Sequence, residues 1–125
     1  MLTNLFQVAI GGAFGASARY LTSAATMRLL GPGFPRGTLA VNVLGSFLMG
    51  VLVVALAHLG GTRPAPLLVT GVLGGFTTFS AFSLDALTLW ERGQAVPAGL
   101  YVAASVGLSL AAIVLGMALT RAVAQ

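Results

Sequence analysis

The chain contains no cysteine and no lysine, one histidine, and two acidic residues among its 125. Without cysteine there are no disulfides and no thiolate-held metal or cluster. One histidine and two carboxylates leave little for acid–base or metal chemistry, so enzymatic function ranks last among the readings. Charged residues make up only 6% of the chain, against about a quarter in a soluble domain. The net charge of +4 comes entirely from arginine. In so apolar a chain those arginines speak for membrane topology and interface chemistry and not for nucleic acid.

What is present in abundance is apolar sequence. Hydrophobic residues account for 58% of the chain, with 17 glycines among the rest. Four apolar stretches, residues 5–27, 38–58, 67–90 and 97–120, are each long enough to cross a bilayer. Short breakers separate them: residues 31–37, rich in Gly and Pro; residues 60–66, with Arg63, Pro64 and Pro66; and Glu91-Arg92-Gly93-Gln94, after which Pro97 suits a first helical turn. No polar stretch is long enough for a soluble domain. The expectation is one all-α transmembrane domain over residues 1–125. The first stretch is too long for a signal peptide's apolar region and lacks a basic leader, so it reads as a retained helix.

The charge pattern across these spans is unusual. Four spans put both termini and the middle connection on one side, with Arg63 and Arg121. The other side holds Arg28, Arg36 and Arg92. Orientation ordinarily follows a clear arginine and lysine excess on the cytoplasmic side. Here either a single arginine, or Arg19 within the first span, tips the balance, or the chain inserts both ways up. Two oppositely inserted copies would pair about an axis in the membrane plane, building from one sequence the inverted repeat that transporters often carry by duplication. A chain this small hardly encloses a pathway alone, so an oligomer is expected in either case.

Within the third span, Gly74-Gly75-Phe76-Thr77-Thr78-Phe79-Ser80-Ala81-Phe82 is a poor helix continuer: paired glycines precede two β-branched threonines. A helix broken at mid-membrane frees backbone groups that no water satisfies. That is tolerated where they bind something, line a cavity or are buried in protein. The break is therefore expected beside a site for an ion or small solute.

Polar residues on the other spans are few. Asn42, Gly45, Ser46, Met49 and Gly50 share one face of the second span, and Tyr101, Ser105, Ser109, Ala112 and Gly116 one face of the fourth. Asn42 is either an interhelical hydrogen-bonding residue or an amide donor aimed at an anion. The serines either face a pathway or bond back to their own helix. Phe79 and Phe82 are three apart; they either pack or turn positive ring edges toward a constriction. Gly11 and Gly15, four apart, allow close helix approach. Arg19 and Asp85 lie near the same membrane side and are expected to pair, with Arg19 also concentrating anions at a vestibule; snorkelling is the competing account. His58, Trp90, Tyr20 and Tyr101 sit at span ends, where interfacial anchoring explains them.

Three segments carry a resemblance. Gly11-Gly12-Ala13-Phe14-Gly15-Ala16-Ser17-Ala18-Arg19-Tyr20, Gly37-Thr38-Leu39-Ala40-Val41-Asn42-Val43-Leu44-Gly45 and the Gly74–Phe82 motif, in this order, closely resemble the CrcB/Fluc fluoride channels over essentially the whole chain. The resemblance implies a four-helix protein of a prokaryotic inner membrane, forming an antiparallel, dual-topology homodimer in membrane lipid. Such a dimer conducts fluoride passively out of the cell through two pores at its interface. Residue by residue, it implies a pore lined by Asn42, Phe79, Phe82, Ser109 and Ser105, with Thr78 and Ser80 in the same motif, and a vestibule arginine at Arg19. It also implies a structural sodium ion held by the backbone carbonyls of Gly74 and Thr77 from both copies. Ala81 departs from the threonine many relatives carry there, a small-for-small change that keeps the phenylalanine spacing. The alternative, a small multidrug-type proton-coupled antiporter, needs a carboxylate deep in the first span, where this chain has only Arg19. A second alternative is a non-transporting assembly subunit, for which Asn42 and the break would be packing alone.

Overall fold

The computed structural model describes residues 1–61 and 63–124; Thr62, in the expected second connection, lies outside them. Every regular element among the described residues is helical. Helix α1 runs over Leu2–Leu30 and α2 over Arg36–Leu59. Helix α3 comprises a stretch with wider, π-type bonding over Pro66–Leu73 that continues as α-helix over Gly74–Phe76. Helix α4 covers Phe79–Glu91 and α5 covers Ala95–Ala124. Each expected apolar stretch thus falls in helix, the third in two pieces.

Among the described residues, three segments are long and apolar enough to cross a membrane: Arg36–Leu59, the α3–α4 stretch Pro66–Glu91, and Ala95–Ala124. Helix α1 is equally long, at 29 residues, but Gln7, Arg19 and several Ser and Thr residues dilute its apolar character. The connections are short. Helix α2 ends on Gly60 in the left-handed region, φ 69°, a conformation that costs glycine least.

The helices pack as two principal pairs, α2 along α5 and α1 along α3, while α4 rests on α5. Burial of apolar surface does not drive association between helices in lipid; close backbone approach with good van der Waals contact does. Glycine makes that approach possible. On the α1–α3 seam, a Cβ at Gly15 would collide with the Val72 carbonyl and the Phe76 amide, and one at Gly75 would lie 2.8 Å from the Gly12 carbonyl oxygen. On the α2–α5 seam, Gly50 faces the Ile113 carbonyl and Gly116 the Phe47 carbonyl.

These contacts correct one expectation. Gly74 and Gly75 do not break the third span: Gly74 is helical, at φ −62° and ψ −36°, and the helix continues through Phe76. The break falls one step later, at Thr77 and Thr78, both extended (φ −86°, ψ 157° and φ −153°, ψ 127°). Gly75 is there because α1 leaves no room for a side chain, while the β-branched threonines supply the extended backbone.

The seam yields a contrast between near neighbours. Gly15→Ala overpacks it and is expected to destabilise the protein by about 1–3 kcal/mol. Gly12→Ala, whose Cβ would meet nothing within 4 Å, is expected to be close to neutral. Unfolding midpoints of the two variants in detergent check the difference.

Candidate functional site

A broken helix exposes two ends with opposite needs. The last carbonyls of α3 lose their partners and form its negative end; the first amides of α4 form a positive end. The chain answers several of these groups from its own side chains. Thr77 N–H and Thr77 Oγ1 both donate to the Leu73 carbonyl, at 3.0 and 2.9 Å, closing the last turn of α3. Thr78 caps α4: its Oγ1 accepts from Ala81 N–H at 3.2 Å and lies 3.4 Å from Ser80 Oγ. The two peptide groups of the extended step are met from α2. Asn42 Nδ2 donates to the Thr78 carbonyl at 2.9 Å, and Thr78 N–H donates to Asn42 Oδ1 at 2.8 Å. Across the other seam, Arg19 Nε donates to the Gly75 carbonyl at 3.1 Å.

Beside this knot lies a cleft of about 290 Å³ between α2, the break and α5. It brings together Asn42, Thr77, Thr78, Phe79, Phe82, Ser105 and Ser109 of the expected set, and adds Ser46, Val106 and Leu110. No charged side chain lines it. Ser105 is buried, and its hydroxyl makes no hydrogen bond to protein, so the back-bonding alternative does not apply to it. A buried polar group without a partner carries a desolvation cost that a ligand can relieve. Asn42 spends its oxygen and one N–H on Thr78, leaving its second N–H as a donor. The two phenylalanines differ: Phe82 is buried, whereas Phe79 is 76% exposed, with their centroids 5.4 Å apart.

Three expected residues lie outside the cleft lining. Ser80 is exposed just beyond it. Gly74 is exposed on α3, and its carbonyl has lost its usual helical donor, because Thr78 N–H goes to Asn42. The Gly74 carbonyl, in the last turn of α3, and the Thr77 carbonyl, on the extended step beyond it, are hard oxygen donors, a chemistry that fits the sodium ion the resemblance implies. Arg19 is half-buried on α1 and bonded to Gly75.

The expected Arg19–Asp85 pair does not form. Arg19 is engaged with the carbonyl end of α3, and Asp85 Oδ2 instead accepts from the Tyr101 hydroxyl at 3.2 Å. A guanidinium is drawn to freed carbonyls at a helix C-terminus for the same reason that it is drawn to a carboxylate. Tyr101 likewise is no interfacial anchor: it is fully buried, with Thr38 and Ser105 near its hydroxyl. Its place four residues before Ser105, on the face that carries Ser109, was the available signal.

Replacing Asn42 with alanine strands a peptide N–H and C=O at membrane depth. Each such loss costs about 1–3 kcal/mol. Asn42→Ala is expected to lower the unfolding midpoint and abolish transport together. Asn42→Asp, ionised, can accept from Thr78 N–H but not donate to its carbonyl, so its midpoint should fall between, while its negative charge in the cleft should leave anion flux as low as in Asn42→Ala. Melting curves alongside flux from liposomes test the order.

Comparison with known proteins supplies what geometry does not. Residues 6–117 match the model of the family described as CrcB-like protein, Camphor Resistance (CrcB). The chain is 69% identical over 121 residues, 97% of both chains, to a Cereibacter sphaeroides protein named fluoride-specific ion channel FluC. Relatives of the same name from Ruegeria sp. and Rhizobium etli are 58% and 55% identical, each over 98% of this chain and 98% and 100% of their own. The broken third span, its amide clasp and the uncharged cleft therefore belong to a member of the CrcB-like family.

Proposed function

We propose that the protein is a fluoride-selective passive channel that exports fluoride across a prokaryotic cell membrane and so limits its toxicity. The observation that carries this reading is identity of up to 69%, over nearly the whole chain, with proteins named fluoride-specific ion channels. The cleft supplies a mechanism. Fluoride is small and holds its water tightly, so a selective path must offer donors in place of that water. Asn42 Nδ2, the hydroxyls of Ser46, Ser105 and Ser109, and the ring edges of Phe79 and Phe82 are such donors. All are uncharged, which keeps binding weak enough for release. The positive end of α4 faces the same space.

The path needs a second wall. In one copy, Phe79, Ser80 and Gly74 are exposed at the break, where a bilayer offers no water to polar groups. An antiparallel homodimer closes the cleft and, by its two-fold axis, forms two pathways. The near-even arginine balance permits both orientations. The same axis would bring Gly74 and Thr77 carbonyls of both copies together as four oxygen donors for a structural sodium ion. Bound there, that ion would supply fixed positive charge between the pathways. Flow is downhill: neutral hydrogen fluoride enters from acidic surroundings, dissociates in the cytoplasm, and the anion leaves down the membrane potential. The antiporter reading finds no support, since α1 carries no carboxylate and the relatives bear a channel's name.

In liposomes containing only this protein, a potassium ionophore should release fluoride rapidly and chloride far more slowly. Equal rates, or none, would reject the channel. Orientation has its own measurement, made simple by the absence of native cysteine. With Val123→Cys, on the exposed end of α5, about half the chains in intact spheroplasts should react with a membrane-impermeant maleimide if both orientations insert. All or none reacting means a single orientation.

A further inference from the structure

Four aromatic rings touch in series from the α1–α2 connection to the cleft. Phe34 meets Tyr101 edge-on, with centroids 5.4 Å apart and planes at 89°. Tyr101 meets Phe82 at 5.3 Å and 41°. Phe82 meets Phe79 at 5.4 Å and 52°. The last two line the cleft, whereas Phe34 lines a second cavity of about 200 Å³ with Ser23, Thr38 and Asp85.

We infer that Phe34 is a positioning residue for the cleft. It holds the ring of Tyr101 and, through it, the tilt of Phe82 and the direction of the Tyr101 hydroxyl. The inference rests on the channel reading above.

Two features make Phe34 suited to the task. The first is directionality. An edge-to-face contact has a preferred geometry, which an aliphatic contact of equal area lacks. Tyr101 is fully buried yet must present its hydroxyl to Asp85 Oδ2 at 3.2 Å. Phe82 bears on the ring from α4, and Phe34 is the aromatic contact that bears on it from outside the α4–α5 pair.

The second is that the connection carrying Phe34 is itself fixed at both ends. Gly31 and Gly33 take φ of 81° and 120°, where side-chain-bearing residues are strained, with Pro32 between them and Pro35 after Phe34. Arg36 Nη1 donates to the Leu30 carbonyl at 3.2 Å and Arg36 N–H to the Phe34 carbonyl at 2.8 Å, closing the connection on itself. A ring mounted on such a frame can hold another in place. If the phenylalanine edges select the anion, a change in their tilt alters selectivity before it alters stability. A residue that merely covers the Phe82–Leu89–Ala98–Tyr101 cluster would do the reverse.

The test uses purified protein in liposomes, with flux normalised to assembled protein. Wild type is measured first; no fluoride flux there overturns the channel reading and this inference with it. Given wild-type flux, Phe34→Leu should lower the fluoride-to-chloride rate ratio roughly two- to tenfold, the worth of one aromatic pair. Phe34→Tyr, which keeps the ring, should retain the wild-type ratio. Leu39→Val loosens the same cluster while keeping all four rings and the Phe34–Tyr101 edge contact, and should lower the unfolding midpoint while leaving the ratio intact. Should Phe34→Leu fail to assemble, Phe34→Met takes its place with the same expectation. An unchanged ratio in the ring-less variant, or an equal fall in Leu39→Val, overturns the positioning role and leaves the channel reading standing.

Discussion

The paired hydrogen bonds between Asn42 and the Thr78 peptide groups are the contact on which the rest of the structure depends. A helix interrupted inside a bilayer strands donors and acceptors that would each cost several kcal/mol in hydrocarbon. One amide side chain resolves two of them at once, because a carboxamide offers a donor and an acceptor side by side in one plane. With the extended step pinned to α2, α4 can start afresh at Phe79 and present its positive end to the cleft. Arg19 treats the other end of the interruption, taking the Gly75 carbonyl.

This division of labour gives the break two chemical faces. Toward α4 lie amides, hydroxyls and ring edges, all suited to an anion. Toward α3 lie carbonyls, suited to a cation. Both follow from cutting a single helical dipole and separating its halves by two residues. Neither face uses a charged side chain at the cleft itself. A full positive charge would bind a small anion too tightly to pass it on, so a neutral lining fits the proposed channel.

Much of this was legible beforehand. Helix count and extent came from runs of apolar residues bounded by Gly and Pro, since length and hydropathy alone decide what spans a bilayer. Asn42, Ser105 and Ser109 stood out because polar residues are few in such runs. Less legible were partners. Arg19 and Asp85 looked like a pair because opposite charges at similar depth usually find each other, yet each found a different neighbour: a carbonyl freed by the break, and a buried tyrosine hydroxyl. Tyr101 looked interfacial because tyrosine near a span end usually is. Gly75 looked like a breaker because its packing partner on α1 is some 60 residues away in sequence.

The sequence by itself determined that the chain is helical, built for a membrane and interrupted in its third span, because composition and periodicity act locally and need no knowledge of neighbours. The tertiary structure alone decided where the interruption falls, which group satisfies each stranded peptide, and that four rings form a continuous series from a surface connection to the cleft. Those outcomes turn on which helix faces meet, and in a membrane that is set by ångström-scale fit between glycine-lined backbones, a property no single segment carries.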